Sequence, residues 1–219
     1  MYNKVTGYSD VYLLAGNSHK LHLSTLRDEN TTRKEFVATS DRISTILLEG
    51  ALGFEEMVTE KRKAPTGCFY DHYMLQNPKI CYVSVLRSAE AMLNRTYQLA
   101  DDVSQGFVLI QRDEKTHQPQ YFYHKFPKDL STRICYIVDP MLATGGSGCK
   151  CIELLIEEGV PEHNIRFINI ITCHQGIANL KFLYPDVRVF TAVIDPVLND
   201  KKYIEPGLGD FGDRYFNTC

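Results

Sequence analysis

Five short apolar runs constrain this chain more than any other feature. They are ICYVSVL at 80–86, FVLI at 107–110, ICYIV at 134–138, IRFINII at 165–171 and VRVFTAVI at 187–194. A strand with one face in water alternates apolar and polar residues, whereas a nearly continuous apolar run predicts a strand buried on both faces. Stretches with helical spacing lie between the runs, at 89–100, 147–158 and 176–183, and the last two meet the stop signals Gly159 and Pro185. Such alternation demands right-handed crossovers, which place helices on both faces of a mostly parallel central sheet. The predicted class is α/β.

The rest of the chain supplies additions at both ends. Thr32-Arg33-Lys34-Glu35 is a capping box, and Phe36, Ser40, Ile43, Leu47 and Gly50 follow at helical spacing, which predicts an amphipathic helix ending near Gly50. Residues 114–127 break the strand–helix rhythm. There Tyr121-Phe122-Tyr123-His124 follows a polar stretch and predicts a β-hairpin arm projecting from the sheet. Lys61-Arg62-Lys63 reads as a solvated turn. The 219 residues suit a single domain, with a helical N-terminal segment over about 1–60, a core over about 80–195 and a C-terminal loop region over about 200–219.

Composition narrows the function classes. Lys and Arg number 24 against 27 for Asp and Glu, a net charge of −3, so neither nucleic acid nor a membrane surface is an expected partner, although a local basic pocket is allowed. No segment approaches the ~18 consecutive apolar residues of a spanning helix, and the short apolar start at 11–16, with only Lys4 ahead of it, is not a secretory signal. The seven cysteines are odd in number and scattered through apolar runs, which argues for buried thiols in a reducing compartment and a cytoplasmic protein.

In an open parallel sheet, ligands bind beyond the carboxyl ends of the strands. At one such end stand Asp139, Pro140, Met141, Leu142, Ala143, Thr144, Gly145, Gly146, Ser147 and Gly148, leading into a helix. Small, hydroxylated and glycine-rich, the stretch from Thr144 lets successive backbone N–H groups close on a phosphate, and the helix N-terminus adds its positive dipole end. Asp139 suits a neighbouring sugar diol, so the pair describes a cradle for ribose 5-phosphate. Lys150 lacks the preceding glycine of a Walker loop. Gly207-Leu208-Gly209-Asp210-Phe211-Gly212 matches the dinucleotide fingerprint GxGxxG, yet only seven residues follow it, too few for the helix and strand of that fold. The same loop instead offers exposed backbone groups to the edge of a flat ligand, with Phe211 to cover its face. Arg87 and Arg112 follow two further strands, and their forks suit a second anion opposite the cradle.

Two of these stretches, DPMLATGGS at 139–147 and YIEPGLGDFGDRYF at 203–216, resemble uracil phosphoribosyltransferases when taken together in this order. LRDENTTRKEF at 26–36, VLRSAEAM at 85–92 and IQRDE at 110–114 extend the resemblance over most of the chain. It implies a type I phosphoribosyltransferase sheet under a hood built from the terminal segments. It implies transfer of a phosphoribosyl group from phosphoribosyl pyrophosphate to uracil, giving uridine monophosphate and pyrophosphate. By that similarity Asp139, Pro140, Met141, Leu142, Ala143, Thr144, Gly145, Gly146 and Ser147 hold the ribose phosphate, and Arg87 and Arg112 hold the pyrophosphate. Ile204, Gly209, Asp210 and Phe211 read uracil, largely through the main chain. Asp210 also faces the sugar-pyrophosphate side, and Asp139, Arg112 and Asp210 form the catalytic set. Magnesium rides on the pyrophosphate with no metal ligands assigned to the chain itself. The resemblance also implies a homodimer or homotetramer, and GTP, which activates some members of the family, is a candidate activator.

Three positions depart from the family pattern. Arg87-Ser88-Ala89 replaces Arg-Ala-Gly, which predicts slight strain at Ala89. Asn217 stands where glycine is favoured, and Glu205 where valine or isoleucine is common. A phosphoribosyltransferase for a purine is the nearest competing reading, and the loop at 206–214 is of the uracil type. A regulator that binds phosphoribosyl pyrophosphate or RNA without turnover is opposed by the net charge and the lack of a basic, aromatic-studded stripe.

Overall fold

The computed structural model describes residues 1–93, 96, 102–112 and 119–218, with the backbone alone for Asp102 and Arg112. The chain opens with β1 (Tyr2–Lys4), β2 (Val11–Leu14), α1 (Ser18–Arg27) and α2 (Arg33–Leu52). A hairpin of β3 (Met57–Lys63) and β4 (Phe69–Leu75) precedes β5 (Lys79–Leu86), α3 (Glu90–Leu93), β6 (Asp102–Arg112) and β7 (Pro119–Lys125). Next come β8 (Ile134–Val138), β9 (Met141–Leu142), α4 (Gly146–Glu157), β10 (Ile165–Cys173), α5 (His174–Leu183) and β11 (Arg188–Asp195). The short strands β12 (Val197–Leu198) and β13 (Ile204–Glu205) and the helix α6 (Phe211–Phe216) finish the chain.

Among the described residues, nine strands form one sheet in the order β1-β2-β11-β10-β8-β5-β6-β7, with β9 also running along β10. Every neighbouring pair from β2 to β6 is parallel, and antiparallel β1 and β7 close the two edges. The central strands β8 and β10 are buried at every position, which is why their sequences run apolar without alternation. Side-chain alternation sets Phe167 on one face and Tyr136 and Arg166 on the other. Gly148 of α4 lies so close to the Phe167 ring that an added Cβ would sit at 2.7 Å. Glu55, just past α2, accepts from the Tyr136 hydroxyl at 2.8 Å and pairs with Arg166 at 2.7 Å. The two helices therefore cover opposite faces, and the carboxyl ends of β5, β6, β8, β10 and β11 share one edge.

All five apolar runs are strands of this sheet. The run at 107–110 belongs to the longer β6, and the helix expected over 89–100 is seen as α3, its remaining residues 94, 95 and 97–100 lying outside the described residues. Elsewhere the structure corrects the sequence. The N-terminal segment begins with two strands rather than helix. α2 runs on to Leu52 through Gly50, whose missing side chain admits the Tyr2 ring: a Cβ there would lie 2.5 Å from it. Lys61-Arg62-Lys63 is solvated but lies in β3, exposed at all seven positions and so without burial periodicity; a Lys61–Asp71 pair at 2.9 Å spans the ladder. Tyr121-Phe122-Tyr123-His124 lies in β7 at the sheet edge instead of in a projecting arm. Residues 113–118 of that expected arm lie outside the described residues, and the hairpin standing apart from the main sheet is β3–β4.

Candidate active site

Beyond β8 the chain steps sideways and rejoins the sheet as β9. The Asp139 N–H donates to Ile168 O at 3.1 Å, and Pro140 O accepts from the N–H groups of Ile170 and Ile171 at 3.0 and 3.1 Å. The carbonyls of Leu142, Ala143 and Thr144 are each taken up by the layer behind. Leu142 O accepts from the Thr172 hydroxyl at 2.8 Å, Ala143 O from the Cys173 thiol at 3.2 Å and Thr144 O from Asn179 Nδ2 at 2.9 Å. With its carbonyls fastened towards β10 and α5, the loop reaches Gly145 at φ 87°, where a Cβ would meet Gly176 O at 3.2 Å. Gly146 then opens α4, whose first N–H groups have no intrahelical acceptors. Such an arrangement can take an anion, with the helix dipole behind it.

The cradle forms one wall of a cavity of about 830 Å³, a size that suits a small-molecule ligand. Asp139, Met141, Ala143 and Ser147 line that wall, while Pro140, Leu142, Thr144, Gly145 and Gly146 build the loop without lining it. Leu86, Arg87 and Ser88 beyond β5, with Leu109, Ile110 and Gln111 of β6, line the opposite wall. The Leu86–Arg87 peptide is cis. Arg87 donates to Asp213 Oδ1 at 2.9 Å and to the Thr218 hydroxyl at 3.1 Å, and its guanidinium lies 5.8 Å from the Phe216 ring centre. The Thr218 hydroxyl bond and the Arg87 guanidinium hold the Asp213 carboxyl below its ordinary range. Arg112 ends β6 on the same edge, and its side chain lies outside the described residues.

The C-terminal loop closes the cavity through Lys201, Lys202, Tyr203, Gly209, Asp210, Phe211 and Gly212. Asp210 caps α6 by accepting from the Asp213 N–H at 3.0 Å. The structure thus gathers Asp139, Ser147, Arg87, Gly209 and Asp210 around one space. It does not bring Ile204 there: this residue is buried in β13 and away from the lining. The Phe211 ring is also buried, 5.3 Å from Phe36 and stacked on Tyr215 at 5.8 Å, so it packs the core instead of covering a ligand's face. Ala89 is fully buried and its φ is outside the left-handed region, which removes the strain expected of a methyl there. Glu205 is exposed and accepts from Asn199 Nδ2 at 3.0 Å.

The hood expected from the terminal segments is a set of hydrogen bonds between α1–α2 and the last 25 residues. Arg27 pairs with Asp195, Arg33 Nε donates to Tyr215 O at 2.9 Å, the Tyr215 hydroxyl to Asp41 at 3.2 Å, and Arg214 reaches back to the end of α1. Sequence reasoning missed Asp195, although it ends a strand and so carried the same signal as Asp139. Lys201, Lys202 and Tyr203 carried no such signal.

Comparison with known proteins places the chain among relatives of one family and fold. A family model described as uracil phosphoribosyltransferase matches residues 14–218. The uracil phosphoribosyltransferase of Saccharomyces cerevisiae is 40% identical over 210 residues, which cover 95% of this chain and 97% of that protein. The solved structure of the AQ2163 protein from Aquifex aeolicus is 26% identical, with a TM-score of 0.85 over 95% of this chain and 98% of that one. An adenine phosphoribosyl transferase from Trypanosoma brucei, solved with AMP, pyrophosphate and ribose-5-phosphate, shares the fold at 13% identity, with a TM-score of 0.56 over 92% and 90% of the two chains.

Proposed function

The chain belongs to the uracil phosphoribosyltransferase family, and from that premise we propose that its 830 Å³ cleft moves the phosphoribosyl group of phosphoribosyl pyrophosphate onto N1 of uracil. The products are uridine monophosphate and pyrophosphate. One observation carries this reading: Asp139, Ala143 and Ser147 of the acid-and-glycine loop and Gly209, Asp210 and Gly212 of the C-terminal loop line the same cavity. In this assignment Asp139 meets the ribose hydroxyls, the amides from Thr144 to Ser147 take the 5-phosphate, and Arg87 with Arg112 grips the pyrophosphate. The main chain at Gly209, Asp210 and Phe211 reads the edge of uracil, with Ile204 supporting it from β13.

The reaction breaks the bond from the anomeric carbon to pyrophosphate and forms the bond to N1, which gives up its proton. Positive charge develops on the ribose and negative charge on the leaving group. Asp139 stands at the strand tip where it favours the cationic sugar, and the arginine forks stabilise the departing anion. A base that mismatches the loop leaves buried donors or acceptors unpaired at ~1–3 kcal/mol each, which is the source of discrimination. Magnesium carried on the pyrophosphate fits a cleft lined by the carboxylates Asp139 and Asp210. When bound it supplies charge neutralisation to the leaving group.

A cytoplasmic setting is supported by the six free cysteines of the described residues, and no described helix is long and apolar enough to cross a membrane. Homo-oligomerisation is supported by the exposed β3–β4 ribbon. The deciding assay mixes protein, uracil, phosphoribosyl pyrophosphate and magnesium and follows uridine monophosphate by chromatography, with and without GTP. Product formation is expected, and its absence overturns the reading. Asp139→Asn is expected to lower turnover by about a hundredfold with an unchanged melting temperature. Turnover at the parent rate removes Asp139 from its role.

A further inference from the structure

We propose that Arg27 and Asp195 form a latch that sets the position of the base-reading main chain, and that they govern uracil affinity without touching the ligand. This rests on the reading of the cleft given above. Arg27 is the last residue of α1 and Asp195 the last of β11, so the pair joins the hood to the carboxyl edge of the sheet. The two meet as a bidentate fork, Nη1 to Oδ2 at 2.8 Å and Nη2 to Oδ1 at 2.5 Å. Asp195 is 3% exposed, and a carboxylate so buried must be paired. A buried ion pair is often no more stabilising than apolar residues of the same volume, so stability alone is a weak reason for one at this place.

The partners of the fork give a better reason. Asp195 Oδ2 also accepts from the Gly207 N–H at 2.9 Å, and Arg27 Nη1 also donates to Gly207 O at 2.7 Å. Both polar groups of a single residue are therefore held by the two halves of one ion pair. Gly207 is the turn from which the loop departs: its φ is 63°, and a Cβ there would stand 2.0 Å from Ile204 O. From the far side Arg214 donates to Leu208 O at 2.8 Å and Asp28 O at 2.6 Å, bonds Leu26 O, and lies 4.4 Å over the Phe36 ring. Residues 207 and 208 are thus fastened to the end of α1 by two arginines, immediately before the main chain assigned to uracil.

None of Arg27, Asp195, Gly207 or Arg214 lines the cleft, so these are positioning residues. The phosphate cradle hangs on β10, α4 and α5 through contacts in which the fork takes no part. Loosening the fork should therefore shift the base loop and spare the cradle. Arginine is required for the planar two-donor grip, which a lysine ammonium cannot reproduce.

The test compares the parent chain with Arg27→Lys and Asp195→Asn by steady-state kinetics, thermal melting and amide hydrogen exchange of residues 207–212. Each variant is expected to raise the KM for uracil about tenfold while the KM for phosphoribosyl pyrophosphate and the kcat at saturating uracil move less than about twofold. Exchange at 207–212 is expected to quicken about tenfold, with melting kept within a few degrees by the near-isosteric Asp195→Asn. An unchanged uracil KM in a folded variant overturns the proposal, as does a loss spread equally over both KM values and kcat in step with the melting temperature. If the parent chain converts no uracil, the catalytic reading fails separately. Quickened exchange in the variants then still establishes the latch, and unchanged exchange disproves it.

Discussion

Asn217 ends α6 with φ 60° and ψ 54°, in the left-handed region. Among side chains with a Cβ, asparagine is one of the few that visits this region readily, which explains how it replaces the usual glycine. The turn has a purpose: it carries Thr218 back so that its N–H reaches Asp213 O at 3.2 Å and its hydroxyl reaches Asp213 Oδ1 at 2.7 Å. Asn217→Gly should leave urea stability within a few tenths of a kcal/mol, whereas Asn217→Val should lower it by about 1–2 kcal/mol. The Asp213 carboxyl sits low because the Thr218 hydroxyl and then Arg87 favour its charged form. With a folded pKa below the unfolded one, its stabilising contribution is complete above the ordinary aspartate value and disappears as pH falls through the lowered one. If Arg87 grips the pyrophosphate as proposed, Asp213 competes with that group for it at neutral pH. Asp213→Asn should lower the KM for phosphoribosyl pyrophosphate about threefold at low salt, and less at high salt where exposed pairs are screened.

At the level of elements, legibility tracked how local each signal was. The capping box of α2 lies within four residues and is present: Glu35 N–H donates to Thr32 Oγ1 at 3.3 Å, and Thr32 N–H to Glu35 Oε2 at 3.1 Å. Thr32→Ala should cost about 1 kcal/mol in a denaturant melt. The buried strands were legible because burial on both faces writes a continuous apolar run. Helix α2 was read as ending at Gly50 because glycine has two uses, and here it makes room for Tyr2 rather than ending a helix. β3 has no buried position, so its strand character comes from pairing with β4, which composition does not record. The loop at 139–147 was legible as part of the cavity wall because its residues are contiguous. The Arg27–Asp195 fork was not, since 168 residues separate its ends and only the parallel sheet brings them together. The burial of the Phe211 ring was not legible because an aromatic residue beside glycines suits a core and a base pocket equally well. Its partner Phe36 decided the matter.

For the whole molecule the outstanding cost is the β3–β4 ribbon, which pairs with no other strand among the described residues. A two-stranded hairpin is marginal in water by itself, and this one presents Phe69 at 72%, Tyr73 at 66% and Met57 at 52% exposure. Aromatic side chains left in water at that level suit a covering surface, which the proposed homo-oligomer would supply in a second copy of the chain. Sedimentation equilibrium should give a dimer or a larger assembly. Adding a charge at the ribbon, through Phe69→Asp with Tyr73→Asp, should shift the distribution towards monomer. Neither residue belongs to the buried core, so the far-ultraviolet circular dichroism of the double variant should match that of the parent apart from the ribbon. A double variant that sediments as the parent does would place the interface away from the ribbon. In that case edge strand β7, with Tyr121, Phe122 and Tyr123 each more than 40% exposed, becomes the next surface to charge.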